Sequence, residues 1–272
     1  MHSLVERIRE EFTSATQHSL AIALGIVLVL PAVVEAQSQG TPGGVPAAVP
    51  VTVAAVRVSS APIVDGDLSD AAWTGLQPLS GFTQRIPRDG EPATLQTEVR
   101  IGHDDAALYV GIRAHDDRPD LIIPGDRIRD YDLTQSDALV LIFDTYNDGV
   151  NGFVFGTNPA GIEYDGQVVD QGSGGGSMSG GALGGGGFGG GRQQRGSGGG
   201  FNLNWDGSWE VATTTDADGW YAEMRIPFTT LRYGSDGAQD WGVNFERRIR
   251  RSNEQAVWAP IWRWRQWGQR TP

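Results

Sequence analysis

The sequence predicts an all-β protein, a sandwich or barrel of short antiparallel strands, preceded by an export segment and interrupted by a glycine-rich loop. Three observations carry this expectation. From Val51 onward, apolar and polar residues alternate at period two, the spacing that turns one face of a strand toward a core. Turn sequences such as Asp216-Ala217-Asp218-Gly219 separate these runs at roughly ten-residue spacing. Helical patterning is confined to two short segments, Ser69–Leu76, with Ser69 placed to cap it, and Thr229–Tyr233.

Taken in order, residues 1–36 read as a signal peptide. Arg7 and Arg9 precede an apolar run from Leu20 to Val34, and Val34-Glu35-Ala36 offers small residues for cleavage after Ala36. The run is short for a membrane span and contains Pro31, which favours cleavage over a permanent anchor. Glu6, Glu10 and Glu11 make this start unusually acidic, and a true start further downstream would account for them. Residues 37–50 are a Pro/Gly/Ala linker. The body is expected over 51–262.

Within the body, Leu95, Val99 and Ile101 alternate with polar residues, and Leu108, Val110, Ile112 and Ala114 do the same after Asp104-Asp105. That is a hairpin with one buried face. Ala138 to Phe143 is continuously apolar, as in a strand covered on both faces. Trp209, Val211 and Thr213 form one further inward set, Trp220, Ala222, Met224 and Ile226 a second, and Trp241, Val243 and Phe245 begin a third. Trp73 is expected in the core beneath the first strand. Residues 172–200 are of low complexity and are expected to be a mobile surface loop between two strands, because they cannot bury enough apolar surface to offset ordering. The Gly184/Gly186/Gly189 spacing there lacks the strand and helix that a dinucleotide site needs.

Composition excludes several chemistries. The chain has no cysteine, so it has no disulfide framework, thiolate metal site or cysteine nucleophile. All 21 basic side chains are arginine, which removes Schiff-base and phosphate-loop lysine mechanisms. A net charge of -12 argues against a general nucleic-acid binder. After the signal, the only histidines are His103 and His115, expected at opposite ends of a hairpin and hence unable to share a metal. There is no H-E-x-x-H or G-x-S-x-G motif. Asp137, Glu163, Asp165 and Glu246 are available to a glycosidase, but no pattern pairs them across a cleft. The stretch is therefore not expected to be a catalyst by itself.

Four segments together resemble the family 9 carbohydrate-binding modules. They are Ile63-Val64-Asp65-Gly66-Asp67-Leu68-Ser69-Asp70-Ala71-Ala72-Trp73, Val99 through Gly111 with its Leu108-Tyr109-Val110, Ser136 through Asp144, and Trp220-Tyr221-Ala222-Glu223-Met224-Arg225-Ile226-Pro227. They fall in family order across most of residues 55–250. The tail from Trp241 to Arg251 looks like the subgroup in which such a module precedes a large C-terminal domain predicted to form an outer-membrane barrel. The chain breaks off at Arg270-Thr271-Pro272 after an unfinished aromatic stretch, so a truncated product is expected, with 263–272 opening a missing region.

The resemblance implies a two-sheet antiparallel, jelly-roll-like sandwich, sugar binding, calcium in some members, and association with polysaccharide breakdown at the cell envelope. It also implies where a sugar would sit. The family's clamp tryptophan corresponds to Thr134, its sugar-contacting acid to Val140 and its arginine to Gly156, so the clamp is not reproduced.

From the residues themselves, the candidate ligand contacts are Trp205, Trp258, Trp262, Arg263, Trp264 and Glu246. Flat aromatic surface suits a sugar ring, and interleaved polar groups suit its hydroxyls. The same Trp/Arg cluster also suits a protein interface, a barrel strand or plain core packing. Asp144, Asn147 and Asp148 are candidate calcium ligands, with an ordinary Asn-Asp-Gly turn as the alternative. Asp65, Asp67 and Asp70 form a second acidic group, expected to cap the short helix. Three functions stay open: an exported carbohydrate-binding module, an interaction module docking on its own C-terminal barrel or an envelope protein, and part of a glycosyl-bond hydrolase.

Overall fold

The computed structural model describes residues 52–169, 201–234 and 239–259. The export segment, the linker, the 172–200 loop and the Trp262, Arg263 and Trp264 candidates lie outside them. The chain divides into two units, Met1–Ala54 and Ala55–Pro272, and all strands described here belong to the second.

Two sheets make the fold. The first has five strands in the order β1 (Val56–Arg57), β3 (Thr97–His103), β4 (Ala107–His115), β10 (Gly219–Pro227) and β9 (Glu210–Asp216). The second has seven: β2 (Thr83–Ile86), β12 (Glu254–Val257), β11 (Gly242–Ile249), β5 (Ala138–Asp144), β6 (Gly152–Thr157), β7 (Tyr164–Val168) and β8 (Phe201–Asn202). Pairing is antiparallel except at one edge, where β1 runs parallel to β3. The expected hairpin is β3–β4, with Val99 opposite Ile112. Asp104 closes it by accepting the amides of Ala106 and Ala107 at 2.7 and 2.8 Å. His103 and His115 stand at its opposite ends, as the alternation requires. The strands flanking the glycine-rich segment, β7 and β8, are neighbours.

The period-two residues meet between the sheets. Val110, Ile112, Trp220, Ala222, Met224 and Ile226 of the first sheet pack on Leu139, Leu141, Phe143, Phe155 and Phe245 of the second. Each such large side chain stabilises the fold by about 1.5–3 kcal/mol through burial. Both outward faces are also partly covered. On the seven-stranded sheet, Leu133, Ile162 and Tyr164 cover Ala138, Val140, Ile142 and Val154, which is why β5 is apolar on both sides.

On the five-stranded sheet, Trp73, Leu76 and Val58 form a third cluster with Tyr109. Trp73 is thus buried, as expected, but on the outward face rather than between the sheets. Glu223 holds this segment down. One carboxylate oxygen accepts the amides of Asp65 and Gly66 at 2.9 and 2.7 Å, and the other accepts the Trp73 indole N–H at 2.7 Å. The opening motif and the distant W-x-x-E element are therefore two halves of one anchor.

The helical expectations shrink. Only α1 (Ala71–Thr74) forms, and Asp70 at its N-cap makes no side-chain cap. Asp70 instead accepts the Ile63 amide, while Asp67 accepts the amide and hydroxyl of Ser69. The acids tie the loop to itself rather than cap the helix. Thr229–Tyr233 is not helical: the chain turns at Phe228–Thr230, closed by the Thr230 amide on Pro227 O at 2.9 Å. At Gly66, φ is +88° and an added Cβ would lie 2.8 Å from the Thr213 carbonyl carbon. Gly66→Ala is therefore expected to cost about 1–3 kcal/mol, read as a lower urea midpoint at unchanged m-value.

Candidate functional site

The aromatic candidates that the structure describes are committed to packing. The Trp205 ring centroid lies 5.0 Å from that of Phe153 and 6.0 Å from that of Phe155. Trp258 stands edge-on to Phe245 at 5.9 Å. Both are partly buried against the sandwich core, so neither presents a free platform to a sugar. Trp209 is packed inward, as expected. Period-two patterning cannot tell a tryptophan that seals the edge of a core from one that faces solvent.

The Asp144–Gly149 turn closes on itself. Asp144 accepts the amides of Asp148 and Gly149 at 3.1 and 2.7 Å. Asp148 accepts the amides of Val150 and Asn151 at 2.7 and 2.9 Å and the Asn151 side-chain amide at 2.9 Å. Burial raises the Asp144 carboxyl above its ordinary value despite these amides. At Asp148 burial works the same way, but the Asn151 and Val150 donors outweigh it and hold the carboxyl low. Asn147 takes a left-handed φ of +52°, an ordinary turn conformation. A calcium ion needs six to eight converging oxygens. Here N–H donors already occupy the carboxylates, and among the described residues no group of three or more acidic or histidine side chains could hold a metal. The residues fit a turn rather than a calcium centre.

The acids available to a glycosidase also have structural partners. Asp137 accepts the Arg250 amide at 2.9 Å, and burial raises its carboxyl. Glu163 and Asp165 both bind Arg129, and burial raises Asp165. Glu246 is 1 % exposed, and it accepts Arg248 Nε at 2.6 Å. Its other oxygen faces Arg85 Nη1 at 3.8 Å. Glu246 was expected to touch ligand; its burial makes it instead the group that orients Arg248.

The place where the resemblance locates a sugar is filled. Val140 pairs with Gly156 on one side and Glu246 on the other. A Cβ at Gly156 would lie 2.8 Å from Leu133 and 3.2 Å from Tyr164, because those two side chains cover this point of the sheet. Thr134 follows Leu133 in sequence, and its hydroxyl turns back to Asp132 at 2.7 Å. The open concavity lies one to two strands away, toward β11 and β12. It is a cleft of about 330 Å³ whose polar lining includes Thr134, Gln135, Arg248, Arg250, Asn253 and Gln255. Arg248 and Gln255 lie directly opposite one another across the β11–β12 pair, so they share the outward face. Arg250 is fixed at the rim by its amide on Asp137.

The cleft therefore offers two guanidiniums, three amides and the Thr134 and Ser136 hydroxyls around one hollow, while the Glu254 carboxylate at its edge is taken by Thr94. Such groups hydrogen-bond hydroxyls or oxyanions. Sequence reasoning missed Gln135, Arg248, Arg250, Asn253 and Gln255. The Arg248/Gln255 pairing depends on register, which single-sequence patterning does not provide.

No protein-family model matches the chain, and no curated protein does. Solved structures do resemble it. A family 9 carbohydrate-binding module from Caldicellulosiruptor kristjanssonii, in complex with cellotriose, aligns over 75 % of this chain and 82 % of its own, at 15 % identity and a TM-score of 0.44. The same organism's family 9 module with glucose aligns over 75 % and 85 %, at 15 % identity and 0.43. A protein from Bacteroides uniformis, provisionally described as carbohydrate-binding, aligns over 80 % and 91 %, at 14 % identity and 0.48. The chain is thus similar in structure to family 9 carbohydrate-binding modules.

Proposed function

We propose that the protein is an exported carbohydrate-binding module that serves polysaccharide breakdown at the cell envelope. The observation that carries this reading is the polar cleft beside Thr134. Charged groups absent at Val140 and Gly156 recur on the adjacent strand β11, where Glu246 sits directly across from Val140 and holds Arg248 by a 2.6 Å hydrogen bond. Neighbouring strands lie about 4.8 Å apart, so the displacement is about one strand. Pre-oriented donors of this kind favour hydroxyl recognition because little side-chain freedom remains to be lost on binding. Without a stacking clamp, the ligand is held by hydrogen bonds, and weak, hydroxyl-specific affinity is expected.

Calorimetric titration of the full chain with gluco-, xylo-, manno- and galacturono-oligosaccharides tests this. Saturable binding is expected for at least one series, weakened about tenfold in Gln255→Ala, the loss of roughly 1.4 kcal/mol of hydrogen bonding. Absence of binding across the panel, by a chain that still melts cooperatively, would refute it.

A second reading, docking on a C-terminal barrel or another envelope protein, draws on Leu121, Ile123 and Ile128. These apolar side chains are 42, 37 and 63 % exposed on one segment. It expects Ile128→Asp to abolish co-sedimentation with outer membranes while leaving the sugar titrations unchanged.

A further inference from the structure

We propose that the five-stranded sheet carries a second saccharide site on its outward face, specific for neutral, hydroxyl-rich chains. This rests on the carbohydrate-binding reading above but concerns different residues on the opposite sheet. A cleft of about 700 Å³ opens there, between the sheet and the Leu68–Pro78 segment. Its size lies within the range of about 300–1,000 Å³ common to small-molecule sites.

Register builds the floor. Tyr221 of β10 lies directly opposite Arg113 of β4 on one side and Thr214 of β9 on the other. Directly paired residues share a face, so the ring, the guanidinium and the hydroxyl form one row. The Arg113 guanidinium carbon stands 5.3 Å from the Tyr221 ring centroid, and the phenol is pinned by its hydrogen bond to Asp216 at 2.7 Å. The row is therefore held in a fixed orientation, with the guanidinium over one face of the Tyr221 ring, and it presents aromatic and polar surface together to a pyranose.

Around it, donors and acceptors alternate. Arg100 and Gln77 offer N–H groups, while Asp67 and Asp216 offer carboxylates. Arg113 Nε is shielded from solvent and makes no hydrogen bond among the described residues. The Arg113 Nη2 contact to Asp218 is 3.5 Å, at the limit of hydrogen bonding. An anionic ligand would face Asp67 and Asp216, and a cationic one Arg100 and Arg113. A neutral polyol satisfies both, because each hydroxyl donates and accepts. The wall is rigid, since Trp73 is tied to Glu223 and packed into the third cluster.

With this cleft and the one beside Arg248 on opposite faces, the module would hold two sugar chains or two segments of one. The test titrates full-length wild type, Tyr221→Ala, Arg113→Ala and Gln255→Ala with neutral tetrasaccharides of the gluco, xylo and manno series. A thermal melt of each variant verifies folding. Wild type should bind with two classes of site. Tyr221→Ala and Arg113→Ala should each lose one class or weaken it about tenfold or more, while Gln255→Ala retains it. If Tyr221→Ala and Arg113→Ala bind as wild type does and Gln255→Ala does not, this proposal falls and the first site stands. Binding lost in Tyr221→Ala but unchanged in Gln255→Ala would confirm this cleft and refute the first. If folded wild type binds no saccharide at all, both fall.

Discussion

Arg247→Ala is expected to destabilise the protein by about 3–5 kcal/mol, the cost of leaving buried partners of a charge uncompensated. The Arg247 side chain is fully buried between the sheets. It donates to Gln96 O at 2.8 Å, Thr97 Oγ1 at 3.3 Å and His115 O at 2.6 Å, so it ties β11 to both strands at the open end of the β3–β4 hairpin. Burial pushes its pKa down to about 10, against the pull of Asp137, Asp116 and Glu254, so it stays cationic at neutral pH. Arg247→Lys keeps the charge but loses the planar fork, and should cost less than alanine. Urea unfolding followed by tryptophan fluorescence measures both.

The same cluster sets an acid dependence. Burial opposes ionisation of Asp116, but the Arg251 fork at 2.6 and 2.8 Å, the Arg118 amide and Arg247 outweigh it, so its carboxyl is held below the ordinary range. A depressed folded pKa contributes stability above the unfolded value near ~3.9 and loses it as pH falls through the folded value. Asp116→Asn should therefore be less stable than wild type at pH 7, with the difference closing as pH falls below about 4.

Glu223→Ala is the second large effect, again about 3–5 kcal/mol, because it orphans three donors at once. The Asp65 and Gly66 amides and the Trp73 indole all lose their acceptor, and the third cluster loses its anchor. Burial raises the Glu223 carboxyl despite these three donors. Glutamine does not rescue the site fully. Whichever way it is turned, its NH₂ faces an N–H donor, so Glu223→Gln should still cost about 1–3 kcal/mol. Thermal melts with Trp73 as reporter distinguish the two: alanine should both lower the midpoint and expose the indole.

Much of this fold was legible in the sequence. The alternation through Val110, Ile112, Trp220, Met224 and Phe245 placed the inter-sheet core because a strand has only two faces. The continuous run Ala138–Phe143 correctly signalled a strand covered twice. What covers it did not follow from the pattern, since Leu133 and Ile162 come from irregular segments without periodicity. The parallel β1 edge was settled by tertiary pairing rather than local propensity.

The site was less legible. Trp205 and Trp258 have the composition of sugar contacts, yet core rings take them. Glu246 and Arg248 are two residues apart on one strand and both are buried, and only the tertiary structure shows that Glu246 orients Arg248 at the edge of the cleft. Gln135, Asn253 and Gln255 are unremarkable in sequence and become a cleft only when β12 pairs with β11.

A crystal structure of the full chain with its tightest-binding oligosaccharide tests the carbohydrate reading most directly. The expected result is a sugar ring seated against Arg248, Gln135 and Gln255, with its hydroxyls on their donors. A sugar ring held away from both outward clefts, with Arg248 and Gln255 untouched, would contradict it.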